Sequence, residues 1–256
     1  MSAVAARVRA PSRPAPLGRL VAVELRKAVD TRSGFWLLAT IGLLSLLSLA
    51  VMTVVHSSGE RSMGDLFEVA LTVPSLLLPI VGILLVTDEF AHRTALTTFS
   101  LVPDRRRVVA AKLLAALALA VLVTAACLAL TALAVIVGKA AGLEGISWSI
   151  GARHFGGQIL HNLLSVAMGF GFGLLLLSTP LAIVLYFLVP MAWSFAVTEV
   201  KFLSKVEDWL DTGAAWSPLL DADGSVHWGH VVAAAALWIA VPITAGLIRL
   251  QRTEIK

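Results

Sequence analysis

Between Asp88 and Lys112 the chain gathers Asp88, Glu89, Arg93, Asp104, Arg105, Arg106, Arg107 and Lys112. Elsewhere it is poor in charge. Carboxylates and basic groups in such a patch can do acid–base work, hold a metal or phosphate, or grip a partner through ion pairs. Nothing here favours the first: no paired membrane Asp, H-E-x-x-H or Ser/His couple is present, which argues against an intramembrane enzyme. His92 stands alone and reads as a solvated polar residue. Phosphate binding by a P-loop fails as well, because Gly138-Lys139 has Leu133 where the earlier glycine belongs and Ala140 where Ser or Thr belongs. The "GFGFG" at Gly169–Gly173 lies inside an apolar run, where small residues permit close helix packing. Asp221, Asp223, His227 and His230 sit near one another in "DADGSVHWGH". That piece lacks the remaining ligands of a calcium loop and reads as a polar connection. No metal or cofactor is expected on this chain. Ion-pair recognition remains.

The elements that hold this patch are membrane helices. The chain is 58% hydrophobic and 14% charged, with a mean hydropathy of +0.89, whereas a soluble domain carries about 25% charged residues. A helical crossing needs roughly 20 apolar residues. Six spans are expected at about 34–56, 67–87, 108–137, 159–177, 180–197 and 229–249, the fourth and fifth separated by Ser178-Thr179-Pro180. Fifteen of the twenty Lys and Arg then fall on one side, with the N-terminal segment, the 88–112 loop and the tail. The loop 198–228 on the other side is acidic. By the positive-inside rule both termini are cytoplasmic, in an all-α polytopic fold. Residues 1–16, basic and Pro-rich, read as a cytoplasmic tail, and 17–256 as a single transmembrane domain. Net charge is only +4 and suggests no nucleic-acid partner. Cys127, the single cysteine, has a packing role.

Two amphipathic segments flank the spans. In 17–33, Leu17, Val21, Ala22, Leu25, Ala28 and Val29 gather on one arc. Arg19, Arg26, Lys27 and Asp30 gather opposite, with Leu20, Val23 and Arg32 as exceptions. This is the pattern of a helix lying in the cytoplasmic interface against anionic lipid. In 201–211, Phe202, Val206, Trp209 and Leu210 share a face and predict a helical insertion that lies on the outer membrane surface or dips partly into it beside the last span.

Burying the eight charges of 88–112 at mid-membrane would cost on the order of 20 kcal/mol, so the segment must leave the bilayer. Glu89 to Phe99 contains no Pro or Gly, and Glu89 and Arg93 stand at a favourable i,i+4 spacing. Phe90 and Phe99 supply apolar surface, Pro103 stops the helix, and Asp104 suits the start of the next one. Arg105–Arg107 and Lys112 are expected at the headgroups. An anchoring loop explains the arginines. It does not explain a short helix with an acidic start and aromatic side chains, which suits docking in a groove on a cytoplasmic partner.

This order of parts resembles the membrane subunits of ABC-2 type transporters, typical of bacterial exporters. The resemblance rests on "VELRKAVDTRSGFW" before span one and "DEFAHRTALTTFSLVPDRRRVVAAK" after span two, and extends from Leu17 onward. It implies that the loop is a coupling helix seated in a separate ATP-binding subunit. Glu89, Arg93, Thr94, Pro103, Arg105, Arg106 and Lys112 match the family's motif; Phe90 and Phe99 come from the helical-face reading. Leu17, Val21, Leu25, Arg26 and Lys27 would form the interfacial helix. Two permease chains, the same or related, and two cytoplasmic ATPases carrying ATP and Mg are implied, in a bacterial plasma membrane. The alternative is a membrane scaffold that recruits a cytoplasmic partner through 88–107 without transport. Glu68, His161 and Asn162 either line a pathway or meet water at the outer interface. Pro79 and Pro190 are candidate gate positions, since proline frees helix carbonyls.

Overall fold

A computed structural model describes residues 16–55, 61–91, 104–143, 145–200, 203–221 and 225–252. A short helix, α1 (Leu17–Asp30), precedes six helices long and apolar enough to cross a membrane: α2 (Arg32–Val55), α3 (Met63–Ala91), α4 (Arg105–Ala140), α5 (Ala152–Leu176), α6 (Thr179–Glu199) and α7 (Trp228–Arg252). The fold is an all-α membrane bundle. Backbone hydrogen bonds closed within each helix are what an apolar solvent demands. At 36 residues, α4 is about 54 Å long. That exceeds a hydrocarbon core of about 30 Å, so α4 reaches beyond it.

The centre of the bundle is the pair α3 and α5, each with 56% of its apolar window buried, against 17% for α2 and 11% for α6. Glycine makes that centre possible. A Cβ on Gly169 would lie 2.4 Å from the Pro79 carbonyl oxygen, and one on Gly82 would lie 2.8 Å from that of Val166. Gly171 faces α7 at Pro242 instead, so the "GFGFG" run packs α5 against two neighbours. Between its glycines, Phe170 is fully buried among Leu78, Val81 and Leu174. The turn from α5 to α6 falls at the expected Ser178-Thr179-Pro180, with Leu177 in the left-handed region at φ 53°.

Both α1 and the C-terminal end of α7 lie at one end of the bundle, here the terminal face. Thr87 and Thr179 join α3 to α6 there through a 2.7 Å hydroxyl contact. Arg249 donates to the Leu175 carbonyl and Arg105 to that of Leu250, so two arginines satisfy helix-end carbonyls. At the far face, β1 (Arg61–Ser62) and β2 (Ile146–Ser147) form a small parallel pair that hydropathy gave no hint of.

Two expectations need correction. First, α3 does not end at 87 but runs through Glu89 and Phe90 to Ala91, because internal partners satisfy its polar end. The Thr87 hydroxyl, for example, donates to the Ile83 carbonyl at 3.0 Å. Second, the inward face of α1 is centred on Glu24 and Ala28, while Ala22 and Val29 are exposed and Leu20 turns partly inward. The outer segment is helical from Leu203 to Leu210, a 3-10 turn over Leu203–Val206 running directly into an α turn over Glu207–Leu210. It ends at Asp211, which accepts from the Ala214 amide and caps the next turn, Thr212–Trp216. Trp209 is exposed, and Trp216 is buried with Phe172 and Trp238.

Candidate functional site

Four charged side chains converge beneath the terminal face: Glu24 and Lys27 of α1, Glu89 in the last turn of α3, and Lys112 two turns into α4. Helix geometry puts them there. Glu24 falls on the stripe Leu17, Leu20, Val21, Leu25, Ala28, and Lys112 on the stripe Val108, Ala115, Ala116, Leu119; both stripes face the bundle. Lys112 lies 2.7 Å from Glu24 Oε2 and 3.1 Å from Glu89 Oε1, and donates to the Leu85 carbonyl at 2.9 Å. Three acceptors match the three protons of an ammonium. Lys27 lies 2.8 Å from Glu24 Oε1 and 3.0 Å from Glu89 Oε1. Each lysine therefore bridges both carboxylates, and the four formal charges cancel.

Side-chain exposure is 6% for Lys112, 7% for Glu24 and 9% for Glu89, but 44% for Lys27. Lys112 is thus no headgroup anchor, and of the four side chains Lys27 is the one substantially exposed among the described residues. Burial lowers the proton affinity of Lys27. The hydrogen bonds and charges of Glu24 and then Glu89 outweigh that, holding its pKa above the ordinary 10.5. A raised folded-state pKa stabilises fully below the unfolded value and is lost as pH rises through the folded one. We expect the wild-type melting temperature in detergent to fall more steeply above pH 10.5 than that of Lys27→Met. Superimposable pH profiles would refute the pairing.

Of the other residues expected to meet a partner, Phe90 packs against the core next to α1, while Arg106 is exposed. Asp104 caps α4, accepting from the Arg106 and Arg107 amides at 3.1 and 3.3 Å. Arg93, Thr94, Phe99 and Pro103 lie outside the described residues. The interfacial set divides: Arg26 is exposed and pairs with Asp30 at 3.2 Å, Lys27 joins the cluster, and Leu17, Val21 and Leu25 are half-buried.

The pathway candidates separate as well. His161 and Pro190 line one groove of about 460 Å³ between α3, α5 and α6, together with Thr72, Ser165, Tyr186 and Trp216. Among the described residues, His161 Nδ1 and Trp216 Nε1 have no hydrogen-bond partner. Asn162 points elsewhere: it is buried, and its Nδ2 donates to Thr124 Oγ1 of α4 at 3.2 Å. Pro79 is packed against Gly169, and Glu68 is exposed one turn beyond Thr72. Among the described residues no three His, Cys, Asp or Glu side chains converge on a metal site. His227 and His230 do stack, with ring centroids 5.3 Å apart.

Glu24 was not singled out from sequence, yet a glutamate inside an apolar helical stripe signals a buried base nearby. The arrangement locks one helix against two others through charge. A scan against protein-family models finds no match, and a search of curated proteins finds none either.

Proposed function

We propose that this chain is the permease subunit of an ABC-2 type exporter, paired with a second permease copy or a related chain and driven by two cytoplasmic ATP-binding subunits. The observation that supports the reading best is the charge cluster. It fastens α1 to the end of α3 and the start of α4, the two stems of segment 92–103. A displacement of that segment moves the interfacial helix and both stems together, and the Thr87–Thr179 contact carries it to α6. A motor gripping the segment from the cytoplasm thereby acts on several spans at once. Exposed Arg106 beside the segment offers a charge to an acidic partner. ATP and Mg belong to the ATPase, and this chain supplies the moving path. The sparsely covered α2 and α6 provide surface for a second permease and for lipid.

In this reading both termini face the cytoplasm of a bacterial plasma membrane. Affinity capture of the solubilised chain from its own cells should recover a subunit with a P-loop, identified by mass spectrometry. Arg93→Glu combined with Arg106→Glu should weaken that capture about tenfold while leaving the helical spectrum unchanged, as reversal of rim charges does. Recovery of no ATPase, or capture indifferent to both reversals, defeats the reading.

A further inference from the structure

A second feature lies far from the charge cluster and does not depend on the transporter reading. Two cavities of about 490 Å³ each follow one another down the crevice between α5 and α7. On α5 they are lined by Arg153, Gly156, Leu160, Leu163 and Ala167, a single stripe at helical spacing. On α7 the matching wall is Trp228, Val232, Ala236 and Ala240. From Arg153 to Ala167 the helix rises about 21 Å. That is about one leaflet, half of a bilayer some 40–45 Å thick with its headgroups.

The chemistry changes along this length. The upper cavity, at the far face, has the Arg153 guanidinium, the Ser225 hydroxyl and the Trp228 ring. Among the described residues Arg153 forms no ion pair. A cation and an exposed Trp at one level are the furniture of the headgroup zone. The lower section has no polar side chain among its lining residues, lies open along one side, and is lined on α4 by Leu117. Alanines keep it open where larger residues would fill it, beside the turn Ala236–Ala240 in which α7 widens to a π-helix. At Gly156 an added Cβ would meet nothing within 4 Å.

We infer that this crevice holds one anionic phospholipid of the far leaflet, its phosphate at Arg153 and an acyl chain between Ala167 and Ala236. A water-soluble ligand would leave the lower half unused, and each section is too small for a helix about 10 Å wide. The volume of each section lies within the ordinary ligand range of about 300–1,000 Å³.

The test uses the full chain reconstituted in vesicles of equal phosphatidylglycerol and phosphatidylcholine, extracted in mild detergent and examined by native mass spectrometry. Wild type should retain one phospholipid per chain, with phosphatidylglycerol favoured about fivefold. Arg153→Gln should keep the lipid and lose the preference, whereas Arg153→Lys keeps both. Ala167→Phe should abolish retention; should it fail to fold, Ala236→Phe, on the exposed wall, reads the same cavity. Wild type stripped of lipid, an undiminished preference in Arg153→Gln, or full retention in the filled variants overturns the inference. None of these outcomes bears on ATPase capture.

Discussion

Lys112→Met is expected to destabilise the bundle by about 3–5 kcal/mol, the cost of leaving buried partners without their counter-charge. The substitution keeps an unbranched apolar side chain of nearly the same length and removes the ammonium. Glu24 and Glu89 would then lose their buried ammonium and keep Lys27, which is half in water, while the Leu85 carbonyl loses its Lys112 donor. Double replacement should behave differently. Glu24→Leu with Lys112→Met removes one buried pair and keeps the Lys27–Glu89 contact, and apolar substitutes for a buried ion pair are often neutral. The double variant should therefore recover most of the loss. Reversible unfolding in mixed micelles, with wild type, both singles and the double, measures the coupling directly. A Lys112→Met protein as stable as wild type would mean that the cluster is solvated and holds nothing together.

Gly169→Val should be at least as damaging, for a reason unrelated to charge. The new Cβ would stand 2.4 Å from the Pro79 oxygen and 3.0 Å from its carbonyl carbon. Both are backbone atoms, so no side chain can rotate away and α3 itself must retreat from α5. Overpacking of this kind costs about 1–3 kcal/mol where neighbours can yield and more where they cannot. Gly156→Ala provides the contrast on the same helix, since its Cβ meets open space. It should be neutral, or stabilising by up to about 1 kcal/mol through helix propensity. If the two substitutions prove equally mild, α3 and α5 are not in the close contact described.

Much of this architecture was legible before any coordinates. Lipid allows few solutions, so apolar length and the distribution of arginines locate the spans, and Ser178-Thr179-Pro180 divides a run that hydropathy leaves whole. The site was legible only in part. Lys112 stands in the same patch as Arg105–Arg107 and was grouped with them, yet it is one of the stripe Val108, Lys112, Ala115, Leu119 that faces inward. Its principal partner, Glu24, is 88 residues away, and no local spacing reports a pair that tertiary packing creates. Glu89 looked like the beginning of a separate helix because charge begins there. Compensated charge does not force a helix to stop, and α3 continues through it. The outer helical segment was legible up to Asp211, where capping starts a new turn; the buried Trp216 lies beyond that break and gave no local signal.

The turn at Ala236–Ala240 has a bearing on the opposite end of α7. A π-helical turn takes up more chain than an α turn, so every later side chain is rotated relative to an uninterrupted helix. One residue corresponds to about 100° around the axis. With that offset, Gly246 meets Leu174 of α5, Arg249 reaches the Leu175 carbonyl and the Leu250 carbonyl receives Arg105. The phase of α7 at the terminal face is thus set three turns away, by a single irregularity in its backbone. Should that turn relax to α, the helix would swivel about its own axis and surrender all three contacts together.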